Sequence, residues 1–186
     1  QVQVNYKTGL TFAVGLRSIL RQDPNVVMIG EIRDAETAHI AVRAAITGHL
    51  VLSTLHTNNA PSSVIRLIDM GIEPYMVASS VVGVISQRLV RKICETCRQS
   101  YTAEPEQLSI LGVNQTEEIK LYRGKGCPVC SGTGYLGRIG IFEIMPVTRQ
   151  HRELIISRCS EQELADLSVK FGMRTLKDNA RDLVLK

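Results

Sequence analysis

The chain has 186 residues, 44% of them hydrophobic and 22% charged, with a formal net charge of +4. That composition belongs to a folded chain rather than a disordered one, long enough for one sizeable core or for a core and a small satellite. The positive excess is too small to argue for nucleic-acid binding by itself, no apolar run is long enough to cross a bilayer, and the first residues do not read as a signal peptide.

Residues 1–5 alternate as a strand does, and with no initiator methionine the expectation is a protein that begins upstream. A helix is predicted over 11–21, with Thr11 as its cap and Phe12, Leu16, Ile19 and Leu20 on one side. Asp23-Pro24-Asn25 breaks it. The continuous apolar run Val26-Val27-Met28-Ile29, stopped by Gly30-Glu31, predicts a strand buried on both faces. Asp34 can cap a helix that runs to about Thr47, with Gly48 as its stop. A second buried strand is predicted over 50–55. Pro61 suits a first helical turn and Pro74 opens another helix. The β-branched stretch 81–93 reads as a strand. Helix alternating with strand indicates an α/β layer with a largely parallel sheet.

The character changes at Cys94. Residues 94–137 are polar, rich in glycine and bracketed by cysteines, with room for a helix over 105–111. A strand over 139–144 follows, then a helical tail with caps at Thr148, Ser160 and Thr175. The capping box of Ser160 and Glu163 is the plainest of these. Composition therefore divides the chain into 1–93, 94–137 and 138–186.

Cys94-x-x-Cys97 and Cys127-x-x-Cys130 are two knuckles, each turning two thiolates toward one point. Together they make a closed tetrahedral shell that suits structural zinc and leaves no open position for catalysis. The glycines beside the second knuckle free its backbone N–H groups to face the sulfurs. The intervening segment has too few apolar residues to hold itself without metal. Cys159 reads as a small buried apolar residue. An odd cysteine count argues for a reducing compartment over a disulfide framework.

An apolar strand that ends in an acid is common and alone means only an exposed carboxylate at a loop. Its neighbours give Glu31 weight. Ligands of open α/β sheets bind at the carboxyl ends of the strands. A glutamate there can orient a water against a phosphoryl group or hold magnesium through water. The second strand ends in Ser53-Thr54-Leu55-His56-Thr57. If the strands are adjacent, His56 shares that edge and can donate to a phosphate.

The runs Gly30-Glu31-Ile32-Arg33-Asp34, Thr47-Gly48-His49 and Ser53-Thr54-Leu55-His56-Thr57 closely resemble the ATPases that drive type II secretion and type IV pilus assembly. Leu16-Arg17-Ser18-Ile19-Leu20-Arg21-Gln22-Asp23-Pro24 and Gln87-Arg88-Leu89-Val90 extend the likeness over nearly the whole chain. The resemblance implies a RecA-like P-loop NTPase core and a cytoplasmic homo-hexamer, peripheral at the inner membrane, that binds ATP and Mg2+ between subunits. Glu31 would be the Walker B glutamate, with Gly30 and Arg33 beside the nucleotide. His56 would contact the γ-phosphate region and His49 would lie close by. Arg17, Arg21 and Arg138 match arginines that act on a neighbouring subunit's nucleotide. Partners would be inner-membrane platform and regulatory proteins, with no nucleic acid. The cysteine module, with its Zn2+, marks secretion and pilus-extension members. The phosphate-binding loop Gly-x-x-x-x-Gly-Lys-[Ser/Thr] is absent from these residues; in the resembling family it lies upstream. This segment alone would therefore bind ATP poorly and hydrolyse little. Two other readings stay open: a zinc-dependent nucleic-acid module built on Arg88, Arg91, Lys92, Arg98, Lys120, Arg123 and Lys125, and a pure docking module.

Overall fold

The computed structural model describes residues 5–113 and 118–186, so most of the alternating segment 1–5 lies outside it. The elements in chain order are α1 (Phe12–Leu20), β1 (Val26–Ile29), α2 (Ala35–Ile46), β2 (Leu50–Ser53), α3 (Ala60–Asp69), α4 (Pro74–Ser80), β3 (Gly83–Ile93), β4 (Arg98–Thr102), α5 (Pro105–Leu111), β5 (Lys120–Gly124), β6 (Tyr135–Pro146), α6 (Arg149–Ile156), α7 (Glu161–Lys170) and α8 (Leu176–Leu185). Two short 3-10 turns, Glu95–Cys97 and Pro128–Cys130, carry the cysteine pairs.

The caps follow from side-chain chemistry. Thr11, Asp34, Asn59, Ser160 and Thr175 each accept a hydrogen bond from a backbone N–H in the first turn of the helix they precede, satisfying a donor that has no helical partner. Gly48, at φ 108, supplies the left-handed residue that releases the chain from α2 into β2.

The chain forms two compact units, 1–86 with 144–173 and 87–143 with 174–186. These differ from the compositional segments 1–93, 94–137 and 138–186. The last helix belongs with the cysteine segment because two side-chain contacts hold it there. The buried Glu143 carboxylate accepts from the N–H of Leu176, and the Asn179 amide donates to the Phe142 carbonyl.

In the first unit β1 and β2 pair in parallel, Val26 opposite Leu50 through Ile29 opposite Ser53. They form a two-stranded sheet, so this parallel sheet is present as two strands. One face of it packs into a single large cluster through Val27 and Ile29, with Ala38, Ala41 and Val42 of α2, Val64 of α3, Val77 of α4, Ile155 of α6 and Leu164 of α7. The expectation of two-sided burial is half met. Val26, Met28, Leu50 and Leu52 are about half exposed or more, because nothing among the described residues covers the second face. β2 also stops at Ser53, short of the predicted Leu55.

In the second unit β4 and β5 form an antiparallel ribbon, Arg98 opposite Gly124 through Thr102 opposite Lys120. The sequence reading contains no such ribbon. It carries a small core of its own, Ala103, Leu108 and Leu121 flanked by Tyr101, Leu111 and Ile119, in keeping with a segment that has few apolar residues. β6 pairs with β3 and begins at Tyr135, within the stretch read as a glycine-rich loop. Among the described residues no helix is long and apolar enough to cross a membrane.

Candidate functional site

Glu31 lies two residues beyond β1 and His56 three beyond β2. Because these strands are parallel and adjacent, both side chains leave the same carboxyl edge. Two further bonds fasten the segments that follow: the Thr54 hydroxyl donates to the Gly30 carbonyl at 2.6 Å, and the Ile32 N–H donates to the Thr54 carbonyl at 3.0 Å. His56 Nε2 then donates to Glu31 Oε2 at 2.7 Å, and Arg33 pairs with the other oxygen, Oε1. The Glu31 side chain is 24% exposed and the His56 side chain 88%, so the carboxylate is partly sheltered and the imidazole faces outward. The Arg33 bond is the main cause that holds the Glu31 carboxyl below the ordinary value of 4.5, against partial burial and with help from His56. Gly30 leaves open space where a side chain would stand.

His49 is not brought to the Glu31–His56 pair. It precedes β2, with Nδ1 3.1 Å from the Ala44 carbonyl at the end of α2. Since His56 follows the strand, the two imidazoles stand at opposite ends of it. Arg17 is bound to Glu36 at 2.8 Å on the α1 and α2 side, and Arg21 is exposed at the C-cap of α1. Arg138 is exposed on β6, in the second unit.

The second unit brings all four paired cysteines together, with their sulfurs within 4.8 Å of one another. Cys94 to Cys127 is 3.9 Å, Cys97 to Cys130 is 3.9 Å and Cys127 to Cys130 is 3.7 Å. A tetrahedron of thiolates at about 2.3 Å from a central zinc has edges of about 3.8 Å. A disulfide would need about 2.05 Å. The donor set and spacing therefore fit a closed tetrahedral metal centre. The backbone prepares it: the N–H groups of Cys127 and Gly134 each point at Cys130 Sγ from 3.2 Å. Burial pushes the Cys97 thiol up to about 11. Cys130 is opposed by the same burial, but those two N–H donors bring it down to about 6. A Cβ on Gly134 would come within 2.6 Å of the Gly124 carbonyl, so the backbones meet here only because both residues are glycine. The bond from Cys94 N to the Gly134 carbonyl, 2.9 Å, ties the two knuckles together.

The sequence profile of the family described as Type II/IV secretion system protein matches residues 1–186. The chain belongs to that family. Among its relatives in the type II/IV secretion system family, the type II secretion system protein E of Pseudomonas aeruginosa is 50% identical over 186 residues, all of this chain and 37% of that protein. The type IV pilus assembly ATPase PilB of Thermus thermophilus is 48% identical over 181 residues, 96% of this chain and 20% of that protein. The chain thus spans well under half the length of these relatives. The crystal structure of the pilus retraction motor PilT with bound ADP superposes with a TM-score of 0.62 at 28% identity, covering 93% of this chain and 39% of that one. The Legionella pneumophila ATPase DotB, at 22% identity and a TM-score of 0.60, has the same fold. The α/β class and the likeness to secretion and pilus-assembly ATPases expected from the motifs therefore stand.

Sequence reasoning missed the arginine–tyrosine stacks of this family member's second unit. Arg91 lies 4.0 Å over Tyr135, Arg98 3.5 Å over Tyr122 and Arg123 5.2 Å over Tyr101. Each guanidinium covers one face of its ring, which ties three of the module's basic residues to tyrosines. The pairing comes from strand register, which carries no local signal.

Proposed function

We propose that this chain supplies the hydrolytic edge and the zinc module of a hexameric cytoplasmic ATPase that powers type II protein secretion or type IV pilus assembly. The observation that carries the proposal is the 2.7 Å hydrogen bond joining His56 to Glu31 at the carboxyl edge of a parallel strand pair. The relatives' names and the ADP-bound PilT structure support it independently.

The chemistry follows from the two carboxylate oxygens. Glu31 is ionised at neutral pH, and at rest Arg33 holds one oxygen while His56 holds the other. Arg33 and His56 are also N–H donors at the edge where a terminal phosphoryl would rest. As they turn from Glu31 toward phosphate oxygens, they free the carboxylate to align the attacking water. Glu31 would hold Mg2+ through water, and the ion would supply neutralisation of phosphate charge. Gly30 leaves that edge uncrowded. Arg17, Arg21 and Arg138 are assigned to the nucleotide of a neighbouring subunit, where a guanidinium neutralises spread charge. His49 is assigned to that same boundary, away from the attacking water. Cys94, Cys97, Cys127 and Cys130 would hold Zn2+, whose role with four thiolates is to fold the module. The motor would bear on an inner-membrane platform protein through its partners.

The test is Glu31→Gln in the longer protein that includes the phosphate-binding loop. Turnover is expected to fall by about 10²- to 10⁴-fold, with nucleotide binding retained. Unchanged turnover removes Glu31 from the reaction and the proposal with it.

A further inference from the structure

The second unit contains a cleft of about 400 Å³ between α8, the β4–β5 ribbon and the adjoining ends of β3 and β6. Its floor and walls are apolar, formed by Ile93, Tyr101, Leu121, Ile139, Leu183 and Val184. Its rim is basic: Arg91, Lys92, Arg98 and Lys186 stand against the single acid Glu95. None of the four cations is in an ion pair among the described residues.

We infer that this cleft is a docking groove for an acidic amphipathic helix of a partner protein. Two observations beyond the shape lead there. The first is α8 itself. Its apolar residues Leu176, Ala180, Leu183 and Val184 recur at helical spacing, yet no residue of the helix is buried, and Val184 is 46% exposed. An amphipathic helix in a finished core hides its stripe, and this one is covered on one side only. The second is the state of the rim arginines. Arg98 lies over the Tyr122 ring, 3.5 Å from its centroid, and Arg91 over the Tyr135 ring at 4.0 Å. A cation–π contact restrains a guanidinium without using its N–H donors, which can receive a carboxylate in bidentate fashion. Apolar anchors entering between helix and ribbon, with carboxylates meeting a pre-positioned basic rim, is the helix-in-groove mode. A concave cleft takes side chains one at a time, which suits a peptide better than the flat face of a membrane. This inference does not depend on the hydrolytic role of Glu31.

The test uses the full chain with its metal and a fluorescein-labelled peptide of about 15 residues, a length that sustains a helix. The peptide carries leucine at positions i, i+3, i+4 and i+7 and glutamate on the remaining faces. Fluorescence anisotropy measures affinity, and hydrogen exchange by mass spectrometry maps protection. Binding is expected, with protection falling on 98–101 and 176–185. Arg91→Glu with Arg98→Glu, both exposed positions, is expected to weaken it by at least about tenfold. Retained zinc content and an unchanged circular dichroism spectrum verify that the variant is folded. A peptide with serine for leucine is expected to lose binding as well, which separates groove filling from charge alone. No binding up to about 1 mM, equal binding by the charge-reversed variant, or protection elsewhere in the chain overturns the inference. So does capture by phosphatidylglycerol vesicles without capture of the peptide, which would reassign the rim to a lipid surface.

Discussion

Stripping the metal from the cysteine centre should unfold one unit and leave the other standing. The second unit's ribbon buries three apolar residues, Ala103, Leu108 and Leu121. At roughly 1.5–3 kcal/mol for each of the two larger side chains, that core supplies about 5 kcal/mol. A four-thiolate zinc contributes on the order of 10–16 kcal/mol in small modules, so the metal outweighs the core about two- to threefold. The backbone bonds that knit the knuckles depend on it: Cys94 N to Gly134 O, Lys125 N to Cys97 O and Gly132 N to Cys127 O, at 2.9, 3.0 and 3.0 Å. In the first unit a far larger cluster surrounds Ile29, Val64 and Leu164, with none of the four paired cysteines in it. Chelation under reducing conditions, followed by hydrogen exchange with mass spectrometry, should therefore release the amides of 94–134. Ile32, bonded to the Thr54 carbonyl, should keep its protection. Elemental analysis supplies the control, with one zinc per chain before chelation and none after. Protection retained across 94–134 in protein shown to be metal-free would refute the reasoning, as would freshly purified reduced protein that holds no metal.

Gly134→Ala places a Cβ 2.6 Å from the Gly124 carbonyl at a residue whose φ is +76, and it displaces an N–H that points at Cys130. Zinc affinity should fall by about 10- to 100-fold, the usual cost of losing a supporting contact, as read by competition with a chromophoric chelator. His151 gives a pH signature. It is 1% exposed, with Nδ1 2.7 Å from the Thr148 hydroxyl and Nε2 3.1 Å from Ser168 Oγ, and burial holds its pKa below the ordinary 6.5. The unfolded chain takes up that proton more readily than the folded one. Stability is therefore fully present above about pH 6.5 and declines as pH falls toward the folded value. Urea midpoints compared at about pH 8 and about pH 5.5 should show that decline, and His151→Gln should flatten it.

Helix ends were legible because they depend on neighbours in sequence: Thr11, Asp34, Ser160 and Thr175 cap the helices they were assigned to. The cysteine centre was legible for a similar reason, since each knuckle is local and only their meeting is long-range. What escaped were features built by pairing across distance. The strands Arg98–Thr102 and Lys120–Gly124 are mostly polar, with only Tyr101 and Leu121 turned toward a core, so neither announces itself. Tyr135, Leu136 and Gly137 extend because β3 lies alongside, which overrides the glycine content. The association of α8 with the cysteine unit rests on Glu143 and Asn179, two side chains with no motif around them.

The two histidines of Thr47-Gly48-His49-Leu50-Val51-Leu52-Ser53-Thr54-Leu55-His56 show where sequence proximity misleads. A strand advances about 3.3 Å per residue, so the four residues of β2 alone separate positions 49 and 56 by about 13 Å. Glu31 and His56, 25 residues apart in sequence, are brought to 2.7 Å by the parallel register that sets Ile29 opposite Ser53. Residues 49 and 56 belong to one motif in sequence and to two edges of the sheet in space. A site at the carboxyl edge is therefore assembled by counting outward from paired strand ends, and on that count His56 falls beside the carboxylate and His49 does not.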